Sequence, residues 1–460
     1  MCEFSLSAVE RVEPALRAEG FVSAVLPLPS AGNATRRESD AAQNSRKNGE
    51  NTIDRIVVIN DLSIAKGGGT GLALLSVRLF RQLGIPVTYV CGDDGENPDL
   101  AALDVEILAL GGEHILTGDR RRALVTGIHN ADAKVMLERW IDAHDTVSTV
   151  YHVHGWSKIM SPAIFVALSR VAGRSLLHAH DFFLACPNGA FYNYPSQTPC
   201  ECRPLGPRCM ASRCDKRSYG QKLWRAGRSA RLRSILLRKG ASSRRVLLLH
   251  EKMAPAFERS GYPAEMLHTL RNPVIPYRKE RICVENNSEF FFIGRLEPEK
   301  GIEDAVKAAA AAGVTLTIIG DGPLKERLSG YGENVQVLGW QSHSQIAEHV
   351  RRARALLMPT RYPEPFGLVA VEASQSGVPV ILSDKAYLAD EMAAAGIAIA
   401  CDTSKSPIFA ATLRHLAEMP RVDIQAMSER AFNRATQLAT SPEEWRDALI
   451  DHYLNLLAGA

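Results

Sequence analysis

Short apolar runs alternate along this chain with stretches of helical period, and the alternation is completed twice. RIVVIN (55–60), PVTYVC (86–91), VEILAL (105–110), TVSTVY (146–151), SLLHAH (175–180) and RVLLLH (245–250) form the first series. FFFIG (290–294), VTLTIIG (314–320), VQVLG (335–339), ALLMP (355–359), VPVIL (378–382) and IAIA (397–400) form the second. Strands of this kind separated by helices predict parallel sheets covered on both faces. At 460 residues the chain is long enough for two such units. The expected architecture is therefore α/β, with two Rossmann-like doubly wound domains and a site in the crevice at the carboxyl ends of their strands.

Residues 31–52 contain no Val, Ile, Leu, Met or aromatic residue, so they cannot bury enough apolar surface to offset ordering. Residues 1–52 are expected to be a flexible extension, 53–275 the first domain and 276–440 the second. Residues 441–460 form a last helix, opened by Ser441 as N-cap, Pro442 at N1 and Glu444 at N3. No apolar run reaches the ~18 residues of a membrane span. Glu3, Glu10 and Glu13 stand where a secretory signal would be basic, and a cytoplasmic protein is expected. A net charge of +3 is too small to imply nucleic acid.

The chemistry concentrates in two stretches of the second half. In RYPEPFGLVAVEASQSGVPVI (361–381), Pro365-Phe366-Gly367 follows a strand and precedes a helix, so free backbone amides form a ready anion site. Glu364 lies just before it and Glu372 eight residues later; a carboxylate accepts two hydroxyl hydrogen bonds, which suits a ribose diol or a sugar. Eight helical residues span on the order of 12 Å, too far for the ~5–9.5 Å of paired glycosidase carboxylates. In FFFIGRLEPEKGIEDAV (290–306), Gly294 ends a strand and Arg295 and Lys300 follow at the sheet edge. Arg can grip a phosphate at two points and Lys adds a point charge; the alternative is surface pairing with Glu297 and Glu299.

GRLEPEKG together with EPFGLVAVEASQSGVPVI resembles the donor half of glycosyltransferase family 4, retaining enzymes of the GT-B fold. The resemblance covers roughly residues 55–458 and is stronger in the second half. It implies that Arg295 and Lys300 hold a nucleoside diphosphate, that Glu364 lies by the transferred sugar and that Glu372 binds the ribose. It places the amides of Phe366, Gly367, Leu368 and Val369 on phosphate and sugar, and packs the last helix back on the first domain. In KGGGTG (66–71), Gly67 and Gly68 fall at the family's Gly-Gly loop, with Thr70 where an acid is frequent. His180-Asp181 matches the family's His-Asp, whose His contacts the sugar, and His154 matches a second His near the acceptor. Without the resemblance, a strand-end His is more simply a packed or capping residue.

Two further features are open to two readings each. Cys200, Cys202, Cys209 and Cys214 could hold a structural zinc, although C-x-C-x6-C-x4-C lacks paired C-x2-C knuckles; otherwise they are free thiols within an insertion over 186–214. Residues 216–245 hold eleven Lys/Arg and no acid, with Leu223, Trp224, Leu232, Ile235 and Leu236 at helical spacing. That is either a surface for anionic lipid or a basic helix packed on the sheet.

The expected activity is transfer of a sugar from a nucleoside-diphosphate sugar to an acceptor hydroxyl with retention. The resemblance implies a role in bacterial polysaccharide or glycolipid synthesis, with a saccharide or lipid-linked saccharide as acceptor and no divalent metal needed for the chemistry. The protein would be cytoplasmic, with peripheral contact at the inner face of the plasma membrane. Two alternatives stand beside it. A sugar-nucleotide epimerase on the same fold would need acid and base groups around the sugar, and the pairing of Glu-x7-Glu with Glu-Lys-Gly speaks against it. In a non-catalytic nucleotide-sugar binder, Arg295, Lys300 and Glu364 should be absent or replaced.

Overall fold

The computed structural model describes residues 52–65, 67–238, 245–328, 330–332 and 334–459. All but the last residue of the expected N-terminal extension lies outside the described residues, as do residues 239–244 of the basic run. The first sheet contains β1 (Arg55–Asn60), β2 (Val87–Cys91), β3 (Glu106–Ala109), β4 (Thr149–Val153) and β5 (Ser175–Ala179). A small antiparallel hairpin follows, β6 (Tyr192–Asn193) with β7 (Thr198–Pro199), and then β8 (Arg245–Leu248) and β9 (Leu267–Thr269) complete the sheet. Its seven strands are ordered β3-β2-β1-β4-β5-β8-β9 and pair in parallel. The second sheet is built from β10 (Glu289–Ile293), β11 (Leu316–Ile319), β12 (Val335–Gly339), β13 (Ala353–Met358), β14 (Val380–Ser383) and β15 (Ala398–Cys401). Its order is β12-β11-β10-β13-β14-β15, again parallel.

In each sheet the order reverses beside the first strand, at β1/β4 and at β10/β13, which opens a crevice beyond the strand ends. β1 is buried on both faces: Ile56 and Val58 join one core, Val57 and Ile59 the other. This is why it reads as a continuous apolar run with no alternation. The helices that position the crevice are α1 (Gly68–Gln82), α2 (Ala131–His144), α3 (Tyr219–Leu236), α4 (Ile302–Ala312) and α5 (Leu368–Gln375). Next come α6 (Ser406–Glu418), α7 (Arg421–Arg434) and α8 (Pro442–Ala458). Among the described residues no helix is long and apolar enough to cross a membrane.

Helix α8 returns from the second sheet to the first. Its start is a capping box, with Ser441 Oγ accepting from the Glu444 amide at 3.1 Å and Glu444 answering the Ser441 amide at 2.8 Å. Trp445, Leu449, Tyr453 and Leu456 then bury against Leu72, Val77 and Phe80 of α1, with the Phe80 and Tyr453 rings edge to face at 5.7 Å. The two crossings between the domains lie side by side, the Val274 amide donating to the Thr440 carbonyl at 3.1 Å. Because Trp445 is fully buried, Trp445→Ala should destabilise the first domain by about 3–5 kcal/mol. Denaturant unfolding followed by far-UV dichroism measures this, and a loss below ~1 kcal/mol would show that α8 contributes little to the core.

Candidate active site

A cleft of about 550 Å³ runs between the two carboxyl edges, walled by both domains. Gly67–Gly69 line it at the start of α1, His154 follows β4, His180 and Asp181 follow β5, and Gly294 and Arg295 follow β10. Lys300, Glu364 and Phe366–Val369 close the opposite wall. Of the site residues expected from the sequence, all but Glu372 and the cysteines line this one cleft. The two halves approach closely at the glycine loop, where a Cβ on Gly68 would stand 3.4 Å from Leu368 Cδ1. A Cβ on Gly69 would meet the His180 ring at 3.2 Å, so the loop lies directly over that imidazole.

The charged wall is a network. Lys300 Nζ donates to Glu364 Oε2 at 2.6 Å and to the Tyr362 hydroxyl at 2.8 Å. Burial opposes the Glu364 charge, yet Lys300, Tyr362 and Arg295 together hold its carboxyl below the usual range. The surface pairing considered from the sequence is half present: Arg295 lies 3.0 Å from Glu297 and is 65% exposed. Lys300, in contrast, pairs with Glu364, while Glu299 is taken by Lys216 at 2.8 Å. Arg295 is thus an exposed cation at the cleft mouth and Lys300 a part-buried one inside it.

Helix α5 begins at the cleft. Gly367 adopts φ +77°, and a Cβ there would stand 2.8 Å from Met358 Sδ, so no other residue fits this turn without strain. Its amide-bearing first turn opens at Leu368 and Val369, beside Glu364. Glu372, two turns into the chain from Glu364, is not a cleft-lining residue. Its carboxylate accepts from the Tyr277 hydroxyl at 2.7 Å, and burial pushes it up to about 7 against that hydrogen bond. The Tyr277 ring lies 5.2 Å from His343.

On the first-domain wall four imidazoles stand in a row, His152 and His154 on β4 and its end, His178 and His180 on β5 and its end. The His154 and His180 rings share a hydrogen bond, Nδ1 to Nε2, at 2.9 Å. Tyr453 on α8 bonds His152 Nδ1 at 2.7 Å. Burial holds all four below the ordinary imidazole value, His180 at about 4, so His180 faces the cleft as a neutral ring. Asp181 accepts from the Phe183 amide at 2.8 Å, and Thr70 Oγ1 accepts from Asn60 at 3.2 Å.

Several residues of this wall are not singled out by the sequence. Asp61, buried after β1, accepts the amides of Lys158, Ile159 and Met160 at 2.6–2.9 Å and fixes the segment after His154. Arg228, buried on α3, stands over the rings of Trp156 and Trp224 at 5.0 and 5.6 Å and donates to the Ser157 carbonyl at 2.6 Å. The basic helix therefore braces the cleft from behind, with Leu232 and Leu236 in the core and Leu223 43% exposed. Of the two readings of the cysteines, the free thiols fit better: among the described residues no three of Cys200, Cys202, Cys209 and Cys214 bring their sulfur atoms within 4.8 Å of one another. Lys222 Nζ instead contacts Cys209 Sγ at 3.4 Å and Cys214 Sγ at 3.0 Å.

Two facing Rossmann-like domains with a cleft between their strand ends define the GT-B class of fold. Sucrose-phosphate synthase from Thermosynechococcus elongatus superposes with a TM-score of 0.65 at 15% identity, over 88% of this chain and all of that one. Anabaena HepE, solved with UDP and glucose, superposes at 0.58 and 16% identity over 87% of this chain and 99% of its own. Residues 276–434, the second domain, match the family model of glycosyl transferases group 1. Glycogen synthase of Mycobacterium tuberculosis is 31% identical over 170 residues, 35% of this chain and 40% of that protein, so the match spans well under half of the relative's length.

Proposed function

We propose that this chain transfers a glycosyl group from a nucleoside-diphosphate sugar, held by the second domain, to an acceptor hydroxyl presented by the first, with retention of configuration. The observation that carries this reading is the convergence of Arg295, Lys300, Glu364 and the first turn of α5 on a single cleft that also holds His180. The leaving group is a pyrophosphate, whose developing charge needs fixed donors and cations. Arg295, Lys300 and the amides of Leu368 and Val369 supply them from one wall without a divalent ion. Glu364 accepts sugar hydroxyls, and His180 and the Gly67–Gly68 loop close over the sugar. HepE, which shares the fold, was solved with UDP and with UDP-glucose, and that supports a uridine donor among the candidates.

The test is thermal unfolding with UDP, GDP, ADP, TDP and their common sugars, without divalent metal. Free ligand at about 100 times its dissociation constant should stabilise the native state by about 2.7 kcal/mol. One nucleotide is expected to raise Tm, and Arg295→Ala to weaken that shift. No shift with any of them would overturn the donor assignment.

A lipid-linked acceptor, and with it a role in cell-envelope polysaccharide, is supported by the surface beside α3. There Leu116 and Leu124, 51% and 57% exposed, share a groove with Arg120 and Arg217, and Val125, next in the chain, is 68% exposed. WaaG, another fold neighbour, is a glycosyltransferase involved in lipopolysaccharide biosynthesis. Apolar tips ringed by cations suit an anionic bilayer surface. Vesicles containing phosphatidylglycerol should sediment the wild-type chain and release a Leu124→Ser/Val125→Ser variant; equal binding to neutral vesicles would sink this assignment.

A further inference from the structure

Lys222 on α3 has none of its surface exposed, an unusual position for a lysine. Its Nζ lies 3.0 Å from Cys214 Sγ and 3.4 Å from Cys209 Sγ. Among the described residues no carboxylate pairs with it: neighbouring Asp215 is engaged by Arg225 at 3.4 Å. A buried ammonium without an anion is costly, and the sulfur atoms are the groups that can share its proton. A thiolate beside an ammonium is the reactive form of cysteine. Cys209 and Cys214 are 5% and 3% exposed, so only a small oxidant gains entry.

We propose that Cys214 and Lys222 are a modification site, at which dioxygen closes a covalent N–O–S bridge between Nζ and Sγ. Counted from the neutral thiol and amine, the S–H bond and one N–H bond break, and one S–O and one O–N bond form; counted from the thiolate and ammonium, the two bonds that break are both N–H. The second oxygen atom leaves as water with the two hydrogens released. Sulfur and nitrogen each give up two electrons, and the dioxygen accepts four. The shorter of the two contacts selects Cys214 over Cys209, and Lys222 between the two thiols stands in the way of a direct disulfide. A thiol reductant reverses the bridge.

The site is placed to matter for the cleft. Just before α3, the same segment sends Lys216 to Glu299 at 2.8 Å, and the hairpin that precedes the cysteines brings Tyr192 to 6.5 Å from Tyr362. Asn188 Nδ2, at 3.5 Å from Cys214 Sγ, ties the bridge to the loop that begins beside Phe183. Oxidation would therefore fasten the whole insertion to α3 beneath its contacts with the second domain.

The experiment is tryptic mapping of the full chain by mass spectrometry, after purification under air and, separately, without oxygen and with phosphine reductant. Lys216 and Arg217 lie between the two residues, so trypsin separates them unless a bridge joins them. The aerobic sample should yield a joined peptide heavier by one oxygen and lighter by two hydrogens, absent after reduction. Isotopically heavy dioxygen should place its label in that peptide. Cys209→Ser should keep the bridge, whereas Cys214→Ser and Lys222→Arg should lose it. A Cys209–Cys214 disulfide, a sulfenic acid alone, unmodified thiols, or one equivalent of zinc per chain would each overturn the proposal. The wild-type map decides the matter even where a variant folds poorly.

Discussion

Lys300→Met is expected to slow glycosyl transfer by about 10²–10³-fold, the cost of losing one fixed contact to a developing charge. The same change strips Glu364 of its ammonium partner and should destabilise the fold by about 1–3 kcal/mol. The two effects separate by pH. The Glu364 carboxyl is held below its ordinary value of 4.5 in the folded protein. A depressed acid adds stability that is complete above the unfolded value and disappears as pH falls through the folded one. The gap in Tm between wild type and Lys300→Met should therefore be full near neutrality and shrink as the solution is acidified below that value. The loss of turnover has no such relation to pH. Lys300→Arg, which restores charge but not the compact ammonium, should recover most of the stability and little of the rate. Transfer at the wild-type rate by Lys300→Met would remove Lys300 from the site.

The legibility of this molecule in its sequence divides along a physical line. Strands buried on both faces announce themselves as apolar runs, and so β1, β10 and β13 lie within a residue or two of where hydropathy puts them. β9 escapes, because Leu-His-Thr at a sheet edge carries no apolar run. Residues at strand ends are likewise readable as to place, since in parallel sheets those ends face one crevice, which puts Gly294, His154 and His180 there; that the two histidines serve the site comes from the resemblance. What cannot be read is the partner of a buried charge. Lys300 and Glu364 are 64 residues apart in sequence, and Lys216–Glu299 are 83 apart. No local pattern distinguishes those pairings from Lys300 with neighbouring Glu299. The basic stretch is only half readable for the same reason. Its pattern leaves open a lipid-facing surface or a helix packed on the sheet, and does not tell that Arg228 and Lys222 turn inward, one onto two tryptophans and the other onto two thiols.

Donor affinity should fall about tenfold when pH is lowered from one unit above to one unit below 7, if the Glu372 carboxylate accepts the ribose hydroxyls. Burial pushes this carboxyl up to about 7, and only its ionised form offers acceptors for both hydroxyls of a diol. The free protein should respond in the opposite sense. An acid whose folded value is raised above 4.5 contributes stability that is present below that value and is lost as pH rises through 7. The ligand-free chain thus loses stability over the interval in which binding strengthens. Of the neighbouring groups, burial keeps the Tyr277 hydroxyl protonated and shifts His343 below its ordinary value. Glu372→Gln should flatten both profiles, weakening the nucleotide-induced rise in Tm at the higher pH while making the ligand-free protein more stable there. Calorimetric titration with the nucleotide identified by thermal shift, repeated across that pH range, measures the affinity directly. A pH-independent affinity in the wild type, or an unchanged one in Glu372→Gln, would place the ribose elsewhere and leave Glu372 as a structural partner of Tyr277.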